Sequence, residues 1–582
     1  MTTNPTKMKS RRGLWGCDDD DEDVLRPMTR VLPVGQEAAV PELLGKNDQK
    51  LYGKIGPPGT GKTTQLVAVV EDERAKGTPW DEICLIAFTK AAADEAKERV
   101  HDELGAAERD LVHFRTLHSL CWSLLGRRGI VLDEAHLRAF AKQHSYRMSG
   151  SLPRNMNDFI EQLGQKVTED DALLAIYEWS RARRISLKEA HGRFPLQVSF
   201  ERLERFVERY DKYRIDSGIV DYTDMLENVL AFKHELPVIV AIVDEAQDLT
   251  PLQAAVVEQV FARCTRVYAA ADDDQCIYTW AGADPAWVQS FFNRCTSVEQ
   301  LPQSYRVPAA VHAVAQRIIR QNKNRVPKQY LPRTGSPGKV SHMSMSGALD
   351  YIVRSPDESF VLARNSIYLR SWSRVLLEHG VPFLVEGPAG QAAQKALDGV
   401  HAAVGLQMGK DVLLQDVVHL LDFIPSRGGD LLPHGTKATI ERMLKAKVKP
   451  TVSRDELMLM GLGKLLAHLD DVGPVEIMSR LPGRHREHLH HLLRKNNGIM
   501  QKPRITLSTI HRAKGQECKN VVVIPDMTTA SFNEYIDGGQ EGRENEHRVA
   551  YVAVTRTIEH LIFVPPNGRR HFPYEDFVQT GS

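Results

Sequence analysis

Residues 56–63 spell Gly-Pro-Pro-Gly-Thr-Gly-Lys-Thr, a complete G-x-x-x-x-G-K-[ST] loop, and no other segment restricts the fold so tightly. The loop follows a short apolar run, Leu51–Ile55, and precedes a helical pattern with Leu66, Val67, Val69 and Val70. A strand, a glycine-rich turn and a helix in that order let backbone N–H groups close around phosphate oxygens at the positive end of the helix dipole. Gly56, Pro57, Pro58, Gly59, Thr60, Gly61, Lys62, Thr63 and Thr64 are therefore the expected nucleotide cradle. Lys62 is expected to reach the β- and γ-phosphates, and the Thr63 hydroxyl to ligate Mg²⁺. The loop points to nucleotide binding and leaves open what the energy drives.

Around it, short runs rich in β-branched residues alternate with longer helical stretches. The runs are Cys84–Thr89, Val238–Val243, Arg266–Ala270, Phe360–Ala363, Ile505–Ser508, Val521–Ile524 and Leu561–Val564. Buried parallel strands read this way, and alternation with helices predicts an α/β fold. The strands fall into two groups, residues 51–300 and 301–565, each interrupted by a mainly helical block. Phe200–Ser217 and His485–Asn496 are examples of apolar residues at helical spacing within those blocks. Pro332–Gly338, Gly387–Gly390 and Pro425–Gly435 mark seams, and the polar segment Thr528–Asn545 is expected to be a loop. Arg11, Arg12 and the acidic run Asp18–Asp23 read as a solvated, partly disordered tail.

Lys and Arg number 75, as do Asp and Glu, so no whole-molecule positive field attracts a nucleic acid. Binding to a phosphate backbone would need local basic patches and aromatic platforms. Arg181–Arg184 and Lys445–Lys449 are basic clusters, read as solvated faces in preference to phosphate contacts. The seven cysteines form no CxxC pair, which disfavours a zinc or iron–sulfur site and fits a reducing cytoplasm. No run of about 18 apolar residues predicts a membrane span, and the N-terminus lacks a signal-peptide core.

The strand run Val238–Val243 ends in Asp244-Glu245-Ala246-Gln247-Asp248. A carboxylate at the end of a buried strand beside a phosphate loop is placed for metal binding, here Asp244. Glu245 is then free to polarise an attacking water as general base. After Arg266–Ala270 come Asp272, Asp273, Asp274 and Gln275, then Tyr278 and Trp280. Three acids before two aromatics do not look like core, and Gln275 is placed to sense a γ-phosphate.

In these segments, and in others along the chain, the sequence resembles the UvrD/Rep/PcrA family of superfamily 1 DNA helicases from about residue 50 to 565. Ala87–Ala93 is similar to motif Ia, Arg115–Ser119 to the next DNA-contacting motif, and Asp221–Leu226 to the D-[FY]-x-D-[LM]-L element. DEAQD resembles motif II, Asp272–Ala283 motif III, Leu301–Arg306 motif IV, Ser508–Glu517 motif V and Glu546–Arg556 motif VI. Ala281 stands where motif III usually has arginine, and motif V reads KGQEC instead of KGLEF. Gln36 is a degenerate candidate for the adenine-reading glutamine, with long spacing to the loop.

The resemblance implies two RecA-like P-loop NTPase domains with parallel sheets, each carrying a helical insertion, and ATP with Mg²⁺ between them. The implied division is an N-terminal extension at 1–50, a first RecA-like domain at 51–119 and 216–300 around an insertion at 120–215, and a second at 301–390 and 500–582 around an insertion at 391–499. Arg306 and Arg556 become arginine fingers, Tyr305 stacks on adenine and Glu517 touches the ribose. Phe88, Thr89, His118, Tyr278, Trp280 and His511 become the DNA track. The implied activity is 3′-to-5′ translocation on single-stranded DNA with duplex unwinding at single-strand/duplex junctions. A translocase that strips proteins without unwinding, and an RNA helicase, stay open as alternatives. Repair or replication proteins are the implied partners of a monomer or DNA-induced dimer, in the cytoplasm of a bacterium or phage-infected cell. The 26 residues after Arg556 are expected to leave no room for a fused nuclease.

Overall fold

A computed structural model describes residues 39–46, 48–148, 168–194, 198–425, 431–433, 435–445, 449–499 and 502–578. The tail with its acidic run, Gln36 and most of the Pro425–Gly435 seam lie outside these residues. Two six-stranded sheets organise the chain, and every ladder in both is parallel. The first contains β1 (Lys50–Ile55), β2 (Ile83–Ala87), β3 (Phe114–Thr116), β6 (Val240–Val243), β7 (Arg266–Ala271) and β8 (Ser297–Gln300). The short strands β4 (Ile130–Val131) and β5 (Ile219–Val220) pair where the first helical block leaves and rejoins it.

The first sheet runs β3-β2-β6-β7-β1-β8. Strands β2 and β6 are buried throughout because helices cover both faces. The period of two divides their side chains: Cys84, Ile86, Ala241 and Val243 enter one core, while Ile83, Leu85, Val240 and Ile242 enter the other. This order sets the carboxyl ends of β6, β7 and β1 side by side, so Asp244, Asp272 and the glycine-rich loop share one rim.

The second sheet contains β9 (Lys339–His342), β10 (Ser359–Ala363), β11 (Phe383–Val385), β14 (Ile505–Thr509), β15 (Cys518–Ile524) and β16 (Thr557–Phe563), ordered β11-β14-β10-β15-β16-β9. It too is cored on both faces, with Phe360 and Leu362 on one side and Val361 and Ala363 on the other. The second helical block includes β12 (Val412–Leu413) and β13 (Thr451–Val452), which pair antiparallel. Its helices, among them Pro388–Gln407, Leu414–Asp422 and Gly483–Lys495, close on Val400, Ala403, Val417, Leu421, Leu465 and Leu492. The chain is thus a mixed α/β protein with two RecA-like units. Among the described residues, no helix is long and apolar enough to cross a membrane.

The first helical block has its own aromatic core, including Phe140, Tyr177, Phe206 and Tyr210. Helix Phe200–Ser217 begins and ends at the expected residues: Leu203, Phe206, Val207 and Tyr210 recur at helical spacing, and Gly218 stops it at φ 63°. The basic cluster at Arg181 is not a solvated face. Arg181 donates to Asp221 at 2.8 Å, Asp224 at 2.6 Å and Glu227 at 2.8 Å. Arg214 meets Asp221 at 2.8 Å, Asp211 at 2.5 Å and also Asp224. The D-Y-x-D element supplies the two carboxylates that both arginines share at this buried joint, where Asp221 also caps helix Tyr222–Ala231. Of the other basic cluster, residues 446–448 lie outside the described residues.

Thr528–Asn545 is also corrected, from a loop to helices Thr529–Asp537 and the first part of Gly539–Val554. Its polarity misleads because most of its polar side chains lie on solvent-exposed helix faces, and the buried Glu544 finds a distant partner. In the same helix, Glu546 accepts from Arg364 at 2.8 Å, and Glu544 accepts the backbone N–H of Lys323 at 2.9 Å.

Candidate active site and nucleic-acid track

The loop after β1 turns on Gly59 and Gly61, whose φ values of 74° and 78° favour glycine. A side chain at Gly59 would overlap Arg306 Cβ and sit 2.9 Å from Ser304 Oγ, so the close approach of motif IV requires glycine there. Thr60 Oγ1 donates to Pro57 O at 2.8 Å and Lys62 Nζ to Gly56 O at 3.0 Å, holding the cradle in shape. Thr64 Oγ1 accepts from Arg99 at 3.1 Å, on the outer side of the helix that follows.

Thr63 Oγ1 donates to Asp244 Oδ2 at 3.3 Å, so the two expected metal ligands converge. Burial, with the neighbouring Glu245 charge, pushes the Asp244 carboxyl up to about 6, against the pull of Lys62. That is the environment of an acid short of positive charge, and it fits a divalent cation. Burial also pushes Glu245 up, but the Lys62 and Lys514 ammonium groups outweigh it and hold the carboxyl below its ordinary value. Glu245 sits at φ 50°, a left-handed conformation that turns it away from the strand direction, and it accepts from the Gln247 amide.

The opposite bank comes from the second unit. Ser304 Oγ and Tyr330 Oη donate to Pro58 O at 3.0 and 3.1 Å, and the Tyr305 N–H donates to Gly59 O at 2.8 Å. The Tyr305 ring is 72% exposed beside the cradle. Arg306 and Glu517, expected to meet different parts of the nucleotide, form an ion pair with each other. Arg556 is 1% exposed and, among the described residues, has no carboxylate within ion-pair distance. It donates to Val552 O at 3.0 Å, Gln516 O at 3.1 Å and Gln275 Oε1 at 3.2 Å. Burial and the Arg306 charge lower its pKa to about 9. A buried guanidinium short of negative charge is suited to an anion.

Three contributors were not assigned from the sequence. Lys514 crosses the cleft to Asp248 and to Gln275 O at 2.7 Å. Lys328 lies among Asp272, Asp273 and Asp274, and Arg325 pairs with Asp274. Those acids looked unlike core, yet each is at most 2% exposed, because these cations neutralise them. Lys514 stands inside the motif V match and could have been found there. Lys328 and Arg325 carry no local signal, since only long-range packing brings them to the acids.

Phe88, Tyr278, Trp280 and His511 come together. Phe88, 37% exposed, stacks on Tyr278 with ring centroids 5.5 Å apart, and the Trp280 and His511 rings lie 5.9 Å apart. Tyr278 Oη donates to His511 O at 3.0 Å across the cleft. His511, expected to offer a stacking face, is 1% exposed, its ring enclosed by Tyr278 and Trp280. Trp280 also leans on Ala172 and Ala175 of the first helical block. Thr89 is exposed and caps helix Lys90–Leu104 through the Ala92 N–H at 3.1 Å. His118 belongs to a different ring pair, edge-on to Tyr222 at 5.8 Å, and burial lowers its pKa to about 4.

A phosphate loop and acids on one wall, facing arginines on the other, define a P-loop nucleoside triphosphatase with its cleft between two RecA-like lobes. Comparison with known proteins narrows the class. Residues 55–296 match the UvrD/REP helicase N-terminal domain, and residues 481–565 match the UvrD-like helicase C-terminal domain. Together these matches take in more than half of the chain, which belongs to the UvrD/REP helicase family. The chain is 28% identical to the ATP-dependent DNA helicase PcrA of Bacillus subtilis, over 49% of this chain and 39% of that protein. It is 24% identical to the ATP-dependent DNA helicase UvrD2 of Mycobacterium tuberculosis, over 90% of this chain and 79% of that protein. It is 22% identical to the DNA helicase II of Rickettsia typhi, over 88% of this chain and 89% of that protein.

Proposed function

We propose that the protein hydrolyses ATP to translocate along single-stranded DNA, 3′ to 5′, and opens duplex at the junction it meets. The observation that carries the reading is Arg556, a buried guanidinium that, among the described residues, has no carboxylate partner and reaches Gln275 on the facing lobe. In this reading, Lys62 holds the terminal phosphates and Gln275, Arg306 and Arg556 surround the γ-phosphoryl group as its charge spreads. Glu245, kept ionised, takes a proton from the attacking water. Magnesium, held by Thr63 and Asp244, would supply neutralisation of the phosphate oxygens. The lobes are drawn together while the γ-phosphate bridges them and relax once it leaves. The division proposed for the chain keeps the expected limits, with insertions at 120–215 and 391–499.

The DNA path is proposed across the aromatic row. Each base stack on such a ring contributes about 1–3 kcal/mol and ignores sequence. Trp280→Ala should raise the single-stranded DNA concentration needed for half-maximal ATPase stimulation by about tenfold, the equivalent of roughly one stack. Unchanged stimulation would remove Trp280 from the path. The 3′-to-5′ direction and the preference for DNA rest on the family resemblance.

ATP turnover measured with and without single-stranded DNA tests the reading, and matched RNA oligonucleotides separate DNA from RNA preference. Unwinding of 3′- and 5′-tailed duplexes, beside displacement of streptavidin from single strands, then fixes polarity and distinguishes unwinding from stripping. Lys62→Ala should abolish turnover in every arm, and persistent hydrolysis would defeat the cradle assignment.

A further inference from the structure

We propose that Lys328 is a positioning residue that orients Gln275 toward the arginine finger. Its side chain is 1% exposed, and its ammonium group lies 2.7 Å from Asp272 Oδ1 and 3.0 Å from Asp274 Oδ2 and also pairs with Asp273. The three carboxylates could have gathered around a metal ion, but the Lys328 ammonium occupies their centre.

Asp272 passes this contact on. While Oδ1 faces Lys328, Oδ2 accepts the Gln275 amide N–H at 2.7 Å. The amide orientation is thereby set, since a carboxylate accepts only from the nitrogen end. Gln275 Oε1 is left to accept from Arg556 Nη2 at 3.2 Å. Lys328, Asp272, Gln275 and Arg556 therefore form one continuous chain of polar contacts to the cleft.

The segment carrying Lys328 also grips the arginine-finger side. Asn322 donates to Glu544 O at 2.9 Å and meets His547 Nδ1 at 2.8 Å. Arg548 donates to Asn324 O at 3.0 Å. Glu544, His547 and Arg548 lie on helix Gly539–Val554, which ends two residues before Arg556. On its other side, the segment binds the acids through Arg325 and through the Val326 N–H, which donates to Asp273 Oδ2 at 2.7 Å. Residues 322–328 thus form a bracket between the γ-phosphate sensor and the helix that presents the finger. Small errors of placement at a reacting centre lower rates by about a hundredfold. A bracket that fixes both groups to one segment limits such errors.

This inference rests on the ATPase reading above. The test compares wild type, Lys328→Met, Asp273→Asn, Gln275→Ala and the Lys328→Met/Gln275→Ala double variant. The readouts are kcat and KM for ATP at saturating single-stranded DNA, with Tm alongside. Lys328→Met should lower kcat by about thirtyfold, within the range that misplacement of catalytic groups produces, while KM for ATP moves less than about threefold. Asp273→Asn keeps an acceptor for the Val326 N–H and leaves two acids for Lys328, so it preserves the fold and should lower kcat by about threefold to tenfold, the effect of partial misplacement. The double variant should be no slower than Gln275→Ala alone, because both changes act through the same amide.

A kcat within twofold of wild type in Lys328→Met overturns the proposal, as do effects that multiply in the double variant. If Lys328→Met does not fold, Asp273→Asn decides alone, and an unchanged kcat there overturns the proposal. Wild-type protein without turnover overturns the ATPase reading and this role with it; active wild type with unaffected variants overturns only the role of Lys328.

Discussion

Replacing Arg556 with alanine should lower DNA-stimulated ATP turnover by about a thousandfold or more, the usual contribution of an arginine finger. The guanidinium reaches Gln275 from the facing lobe, and burial beside Arg306 lowers its pKa to about 9. It is charged at neutral pH but short of negative charge, so charge developing on a γ-phosphoryl group is the partner it suits best. Its loss should fall on kcat more than on nucleotide affinity, because Lys62 and the loop backbone remain. Arg556→Lys should recover little, since an ammonium cannot reproduce a planar fork already donating to Val552, Gln516 and Gln275. Steady-state kinetics beside equilibrium binding of a fluorescent ATP analogue would check this. Turnover within threefold of wild type would remove Arg556 from the reaction.

Glu245→Gln should give the complementary result: nucleotide still binds, and hydrolysis falls by about 10²–10⁴, the range attributed to a positioned general base. Two lysines hold this carboxyl below its ordinary value although it is buried, so it stays ionised and able to accept a proton. Glutamine keeps the size of the side chain and removes that capacity. Its neighbour Asp244, raised to about 6, is instead placed beside Thr63. On the proposed reading, these opposite surroundings would divide two adjacent acids into a base and a cation ligand. Single-turnover assays with pre-bound ATP would isolate the step, and a wild-type rate would reassign the base.

Features whose chemistry is local were legible in the sequence. The phosphate loop needs glycine at fixed positions, and Gly59 and Gly61 adopt the left-handed backbone that demands it. The central strands were legible because both faces are buried, leaving uninterrupted apolar runs such as Val240–Val243, whereas exposed strands such as Ser297–Gln300 carry no such run and were not. Features that depend on distant partners were not. Thr528–Asn545 looked like a loop because it is polar, but most of its polar residues lie on exposed helix faces, and the buried Glu544 is satisfied by residues more than 200 positions away. Asp272, Asp273 and Asp274 looked exposed for the same reason, and Lys328 gave no sign that it would lie among them. Arg181 read as part of a basic surface, yet its four acidic neighbours include the D-Y-x-D carboxylates, 40 and 43 residues further along.

That last arrangement has a mechanical meaning. Removing one member of a buried ion pair generally costs about 3–5 kcal/mol, and here two arginines share Asp221 and Asp224 at the root of the first helical block. A limb bolted through so many rivets has no pivot at its shoulder. It is tied to the unit whose sheet bears the phosphate loop, so in the proposed cycle the two would move as one body.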